Sequence, residues 1–124
     1  MARIIVIDDE PSVADLIGLA LTGAGYAVEL VQDGNDGVKR HRTESADLII
    51  TDIYMPKVDG VEIIREFRRD FPRLPIIVMS GSPLRDIMFT RAQELGVAGV
   101  LEKPFDLSVL LDTVRKALEE GPSE

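Results

Sequence analysis

The sequence predicts an α/β domain in which five parallel strands, buried on both faces, alternate with five helices. Two features carry that prediction. Short apolar runs without polar alternation recur along the 124 residues, as expected where a strand is covered on both sides. Between them lie longer stretches with apolar residues at helical spacing, and Gly, Pro, Asp or Ser marks each change of period. Strands and helices in strict alternation make a parallel sheet, for which right-handed crossovers leave few topologies.

The first strand is Ile4-Ile5-Val6-Ile7. Val13, Leu16, Ile17, Ala20 and Leu21 follow on one helical face, and Gly25 stands where a helix C-terminal glycine belongs. Ala27-Val28-Glu29-Leu30-Val31 forms the second strand. From Gly34 to Ser45 the pattern is weakest, because Val38 is almost its only large apolar residue and Gly37 lowers helix propensity. A helix is still expected there, since two parallel buried strands are usually joined by one. Leu48-Ile49-Ile50 is the third strand, followed by a helix over roughly Val58 to Asp70. Pro75-Ile76-Ile77-Val78-Met79 is the fourth, followed by a helix over about Leu84 to Leu95 whose many charges leave it a thin apolar stripe. Gly99-Val100-Leu101 is the fifth. The last helix, near Leu107 to Glu119, carries Leu107, Leu110, Leu111, Val114 and Leu118 on one stripe behind Asp106 as cap. Residues 1–120 thus read as one domain, with 121–124 as a frayed tail or linker stub.

Composition narrows the function. With 45% hydrophobic and 29% charged residues the chain folds rather than staying disordered. No apolar run approaches the ~20 residues of a membrane helix. Fourteen basic against 22 acidic side chains give a formal charge of −8, which repels nucleic acid and anionic lipid, so neither is an expected direct partner. The lack of cysteine excludes disulfides, thiolate catalysis and cysteine-ligated zinc. Arg3 is followed by four apolar residues and then three acids, unlike a signal peptide, and a cytoplasmic location is expected.

In an open parallel sheet the ligand site lies beyond the carboxyl ends of the strands. Here those ends carry Asp8-Asp9-Glu10, Thr51-Asp52, Ser80-Gly81-Ser82 and Lys103-Pro104. Two carboxylates about 4 Å apart repel by roughly 4 kcal/mol at an effective dielectric of 20, so gathered acids call for a cation. Oxygen donors suit a hard divalent ion such as Mg²⁺. Taken singly, each piece has an ordinary explanation: Asp9 as a helix cap with Glu10 on the dipole, Asp52 in a turn, Ser80 in a loop, Lys103 on the surface. Their joint placement at four strand ends favours a site.

These residues, with Asp52-Ile53-Tyr54-Met55-Pro56, Asp59-Gly60 and Lys103-Pro104-Phe105, make the chain resemble the receiver domain of bacterial two-component response regulators, chemotaxis regulators among them. The resemblance runs from Arg3 to about Leu118. It implies a flavodoxin-like (βα)5 fold with strand order 2-1-3-4-5, an order taken from the family. It implies that Asp52 accepts a phosphoryl group from the phosphohistidine of a sensor histidine kinase or phosphotransfer protein. Asp9, Asp52 and the Tyr54 backbone carbonyl would hold Mg²⁺, with Asp8 and Glu10 contributing directly or through water. Ser80 and Lys103 would sense the new phosphoryl group, and the Lys103–Pro104 peptide would be cis. A downstream output protein or domain would read the change, and phosphorylation-dependent pairing of two copies is a family habit.

The chain departs from the family in three respects. Val100 replaces a common aromatic on the fifth strand, Tyr54 places a bulky ring beside the site, and His41 and Arg42 stand on the second helix where apolar residues are usual. That last departure predicts a loosely packed helix with His41 at the surface. Rival readings are a degenerate receiver that only docks, and a Mg²⁺-dependent phosphatase with an aspartyl-phosphate intermediate. A flavodoxin-like electron carrier is disfavoured, because three acids after the first strand would repel a flavin phosphate.

Overall fold

The structure, a computed structural model, describes residues 1–55, 58–81 and 87–120. In chain order the elements are β1 (Arg3–Ile7), α1 (Pro11–Gly23), β2 (Ala27–Val31), α2 (Gly34–Thr43), β3 (Leu48–Asp52), β4 (Tyr54–Met55), β5 (Val58–Asp59), α3 (Gly60–Asp70), β6 (Ile76–Ser80), α4 (Ile87–Glu94), β7 (Gly99–Glu102) and α5 (Leu107–Glu120). The main sheet is parallel throughout, in the order β2-β1-β3-β6-β7. Counted along its own five strands, that is the expected 2-1-3-4-5.

The unbroken apolar runs serve two cores, because successive strand residues point to opposite faces. Ile5, Ile7, Ile49, Ile76 and Val78 meet Val38 of α2, Val61, Ile64 and Phe67 of α3, and Ala92 of α4. Ile4, Val6, Ile50, Ile77 and Met79 meet Ile17 and Leu21 of α1 and Leu110, Val114 and Ala117 of α5. Each large aliphatic buried in this way contributes about 1.5–3 kcal/mol, so both layers are held firmly to the sheet. Among the described residues no helix is long and apolar enough to cross a membrane.

Helix α1 ends as the sequence suggests. Gly25 adopts φ +97°, its N–H donates to Thr22 at 3.0 Å, and the Tyr26 N–H reaches Leu21 at 3.1 Å, which together close a Schellman turn. At the other end Glu10, not Asp9, occupies the cap position, without a side-chain cap hydrogen bond.

Three expectations are corrected. The residues after β3 form an antiparallel two-stranded ribbon, β4 with β5, so Val58 and Asp59 are extended and α3 begins only at Gly60. The tight return over the strand end requires this: a Cβ at Gly60 would lie 2.2 Å from the Ile53 carbonyl oxygen. Helix α2 is not loose, and His41 is buried, at 5% exposure. Its Nδ1 accepts from the Ala46 N–H at 2.9 Å, and its ring meets Phe71 edge-on with centroids 4.3 Å apart. Gly37, which weakens the helix locally, brings α2 close to the sheet: a Cβ there would sit 2.5 Å from Ile7 Cδ1. Of the helix expected from Leu84, the part before Ile87 lies outside the described residues, as do Ser82, Pro56 and the tail at 121–124.

Candidate functional site

Parallel pairing brings the carboxyl ends of β1, β3, β6 and β7 to one edge of the sheet. Asp8 follows β1, Asp52 closes β3, Ser80 closes β6 and Lys103 follows β7. Asp8, Asp52 and Ser80 are buried and Lys103 is partly buried. The register sets Asp52 beside Met79, one residue before Ser80, and the Ile53 N–H donates to the Met79 carbonyl at 3.1 Å. On the next strand the Lys103 N–H donates to the Ser80 carbonyl at 2.8 Å. The backbone thus links three of the four residues before any side chain is considered.

Lys103 reaches back into the edge. Its Nζ donates to Asp52 Oδ2 at 2.6 Å and to Asp8 Oδ2 at 3.3 Å. The Lys103–Pro104 peptide is cis, as the resemblance implied. Asp8 Oδ1 accepts from the Glu10 N–H at 2.9 Å, and Asp52 Oδ1 accepts from the Tyr54 N–H at 3.0 Å. One oxygen from each of Asp8, Asp9 and Asp52 falls within 4.8 Å of the others. The sequence therefore placed Asp8, Asp9, Asp52, Ser80 and Lys103 in one region. Glu10 is exposed at the head of α1 and lies outside the carboxylate group.

The charges act on one another. Burial pushes the Asp8 carboxyl above its ordinary range, opposed by the Glu10 N–H and the Lys103 ammonium and reinforced by the charge of Asp52. For Lys103 burial works against the ammonium, but the hydrogen bonds and charges of Asp52 and Asp8 outweigh it, so its pKa lies above the usual lysine value. Lys103 is therefore a fixed cation. Three carboxylates against one ammonium leave the cluster short of positive charge, and a donor set made only of oxygens fits a hard divalent ion.

The surroundings hold the site's departures. Tyr54 is in β4 and is 52% exposed. Val100 lies in β7 beside Val78 and packs on the α2–α3–α4 side of the sheet. Sequence reasoning missed the ribbon, whose strands span only two residues each and show no period. The Asp59-Gly60 pair was its one legible signal.

Comparison with known proteins is consistent with this arrangement. The model of the response regulator receiver domain family matches residues 4–115. The transcriptional regulatory protein GlrR of Escherichia coli (strain K12) is 32% identical over 121 residues, covering 97% of this chain and 27% of that protein. The response regulator MprA of Mycolicibacterium vanbaalenii is 36% identical over 118 residues, covering 94% of this chain and 50% of that one. Among solved structures, the chemotaxis response regulator CheY4 of Vibrio cholerae superposes with a TM-score of 0.84 at 29% identity, over 94% of this chain and 98% of that chain. The chain thus spans half or less of the length of these two curated relatives.

Proposed function

The chain belongs to the response regulator receiver domain family, and from that premise we propose that it is a signalling switch worked by phosphorylation of Asp52. The observation that carries the reading is the grip of Lys103 on Asp52 and Asp8 at the edge where three carboxylates gather. Like other receivers it acts only on itself.

The donor is the phosphohistidine of a sensor histidine kinase or histidine phosphotransfer protein. A carboxylate oxygen of Asp52 attacks phosphorus, the P–N bond breaks, and the departing imidazole keeps the electron pair and takes up a proton. Asp8, Asp9 and Asp52, with the Tyr54 backbone carbonyl, would hold Mg²⁺, which neutralises charge on the transferring phosphoryl oxygens. Lys103 already sits at the acceptor oxygen, and it passes from carboxylate to phosphoryl oxygen with little rearrangement. The Ser80 hydroxyl donates to a second phosphoryl oxygen.

Phosphorylation adds about −1.5 to −2 charges and three acceptor oxygens. A switch from 1:99 to 99:1 needs roughly 5.5 kcal/mol of differential stabilisation. Two charge-assisted hydrogen bonds at ~1.5–3 kcal/mol each supply much of that. The pull on Ser80 is transmitted to α4, and the surface of α4, β7 and α5 presents the change to a downstream partner or output domain, or to a second copy of the chain. With Val100 in β7, the readout does not use a rotating aromatic. Residues 1–120 act as the phosphoacceptor unit, in the cytoplasm, with no direct contact to nucleic acid or membrane.

Incubation with Mg²⁺ and acetyl phosphate tests the reading. One phosphate per chain, stable to acid and labile to base, and lost in Asp52→Asn, is the expected result. Release of many phosphates per chain would favour a phosphatase. No modification would favour a docking module.

A further inference from the structure

Arg68, near the end of α3, has no part in the chemistry above, yet all three guanidinium nitrogens donate to backbone carbonyls. Nε donates to the Leu95 carbonyl at 2.9 Å, Nη1 to Pro72 at 3.0 Å and Leu74 at 2.8 Å, and Nη2 to Gly96 at 3.1 Å. Among the described residues no carboxylate lies within ion-pair range of it. Two of the carbonyls belong to the turn that leads from α3 into β6, and two to the turn that ends α4. The last carbonyls of a helix have no partner within it and carry partial negative charge, so a cation is favoured there. Burial of an unpaired guanidinium is offset by these four acceptors. Only a planar fork with several donors can span two segments in this way, and a lysine cannot.

The two turns matter because of what lies at the other ends of their elements. β6 runs from this clamp to Ser80, and α4 runs back to it from the segment that follows Ser80. The end of α4 is further ordered by the N–H groups of Leu95 and Gly96, which donate to Ala92 at 3.1 Å and Gln93 at 3.0 Å. We propose that Arg68 is the pivot of the switch: it ties the C-terminal end of α4 to the start of β6, so that a displacement arising at Ser80 swings α4 about residues 95–96. The pivot rests on the preceding reading, in which phosphorylation of Asp52 moves α4. Arg68 is a positioning residue, since it touches neither the phosphoryl group nor the metal ligands.

Hydrogen exchange followed by mass spectrometry tests the pivot on the full chain, with and without Mg²⁺ and acetyl phosphate, in wild type, Arg68→Lys and Arg68→Gln. In wild type, phosphorylation should change exchange in the N-terminal half of α4 and leave amides 94–96 within about twofold. In both variants amides 94–96 should exchange about tenfold faster even without phosphorylation, with β1 and β3 amides and the rate of Asp52 phosphorylation within about twofold of wild type. Equal loss of protection at both ends of α4 in phosphorylated wild type would overturn the pivot, as would unchanged protection of 94–96 in the variants. A uniform rise that includes β1 and β3 would mark a purely structural role and overturn it too. If wild type takes up no phosphate, the underlying reading fails and the pivot with it, a result distinct from each of these.

Discussion

Tyr54 is exposed two residues beyond Asp52, while its N–H is fixed to the Asp52 carboxylate. A bulky side chain so placed hinders the water that would hydrolyse an aspartyl phosphate. Tyr54→Ala should therefore shorten the lifetime of the phosphorylated form severalfold, as followed by loss of label after removal of the donor; an equal or longer lifetime would rule the shielding out. His41 makes a second prediction. Burial lowers its pKa below the ordinary 6.5, and the charge of Arg3 adds to this, so the folded state favours the neutral ring that accepts from the Ala46 N–H. A group of this kind contributes stability that is complete above its unfolded pKa and declines as pH falls from there towards the folded value. Thermal melts at about pH 7.5 and about pH 5.5 should show a larger loss for wild type than for His41→Asn, which keeps an acceptor but cannot be protonated. Asp52 and Lys103 were legible in the sequence because a strand end fixes where the next residue lies. His41 was not. Its partners Ala46 and Phe71 lie outside the helices and Phe67 on another helix, and one more polar residue on a helix with a single large apolar residue looks solvated.

Among the elements, those that follow a period were readable and those set by a single close approach were not. The unbroken runs of β1, β3 and β6 and the stripe of α5 were evident because burial on two faces, or on one, leaves a repeating mark. The head of α3 was misplaced by two residues, since its position is set by Gly60 resting on the Ile53 carbonyl rather than by any pattern. That contact anchors the segment just past Asp52, so it bears on the site as well as the fold. Gly60→Ala would drive a Cβ to 2.2 Å from a backbone oxygen, where no side chain can swing aside. The strain should cost about 3 kcal/mol, read as a fall in the urea midpoint at unchanged slope. A variant as stable as wild type would show that the ribbon yields freely. Helix α2 reached its place by similar means, with Gly37 admitting Ile7 and His41 filling the space beside Phe71 where an aliphatic residue was expected.

Over the molecule as a whole, a sheet buried on both faces supplies a rigid floor, and its charge is unevenly spread. The formal charge is −8, and three carboxylates meet at one edge with Lys103 as the cation that reaches two of them. The fold therefore carries a local electrostatic deficit, visible in the upward push on the Asp8 carboxyl from burial and from Asp52. A ligand that binds only the folded state adds RT ln(1 + [L]/Kd) to its stability. Mg²⁺ at ten times its Kd should thus contribute about 1.4 kcal/mol, or roughly 5 °C in Tm for a domain of this size. General screening by salt would act on every surface charge alike, whereas a held ion depends on particular oxygens. The gain should accordingly vanish in Asp9→Asn, persist in Asp36→Asn on the exposed side of α2, and not be reproduced by NaCl of equal ionic strength. Lys103→Met separates the two cations further: removing one partner of a buried pair costs about 3–5 kcal/mol, so the metal-free variant should melt well below wild type. The uncompensated carboxylates it leaves should bind Mg²⁺ more tightly, so that the added ion restores a larger part of Tm than it gives wild type. Equal gains in the two proteins would mean that Lys103 and the ion do not answer the same charge.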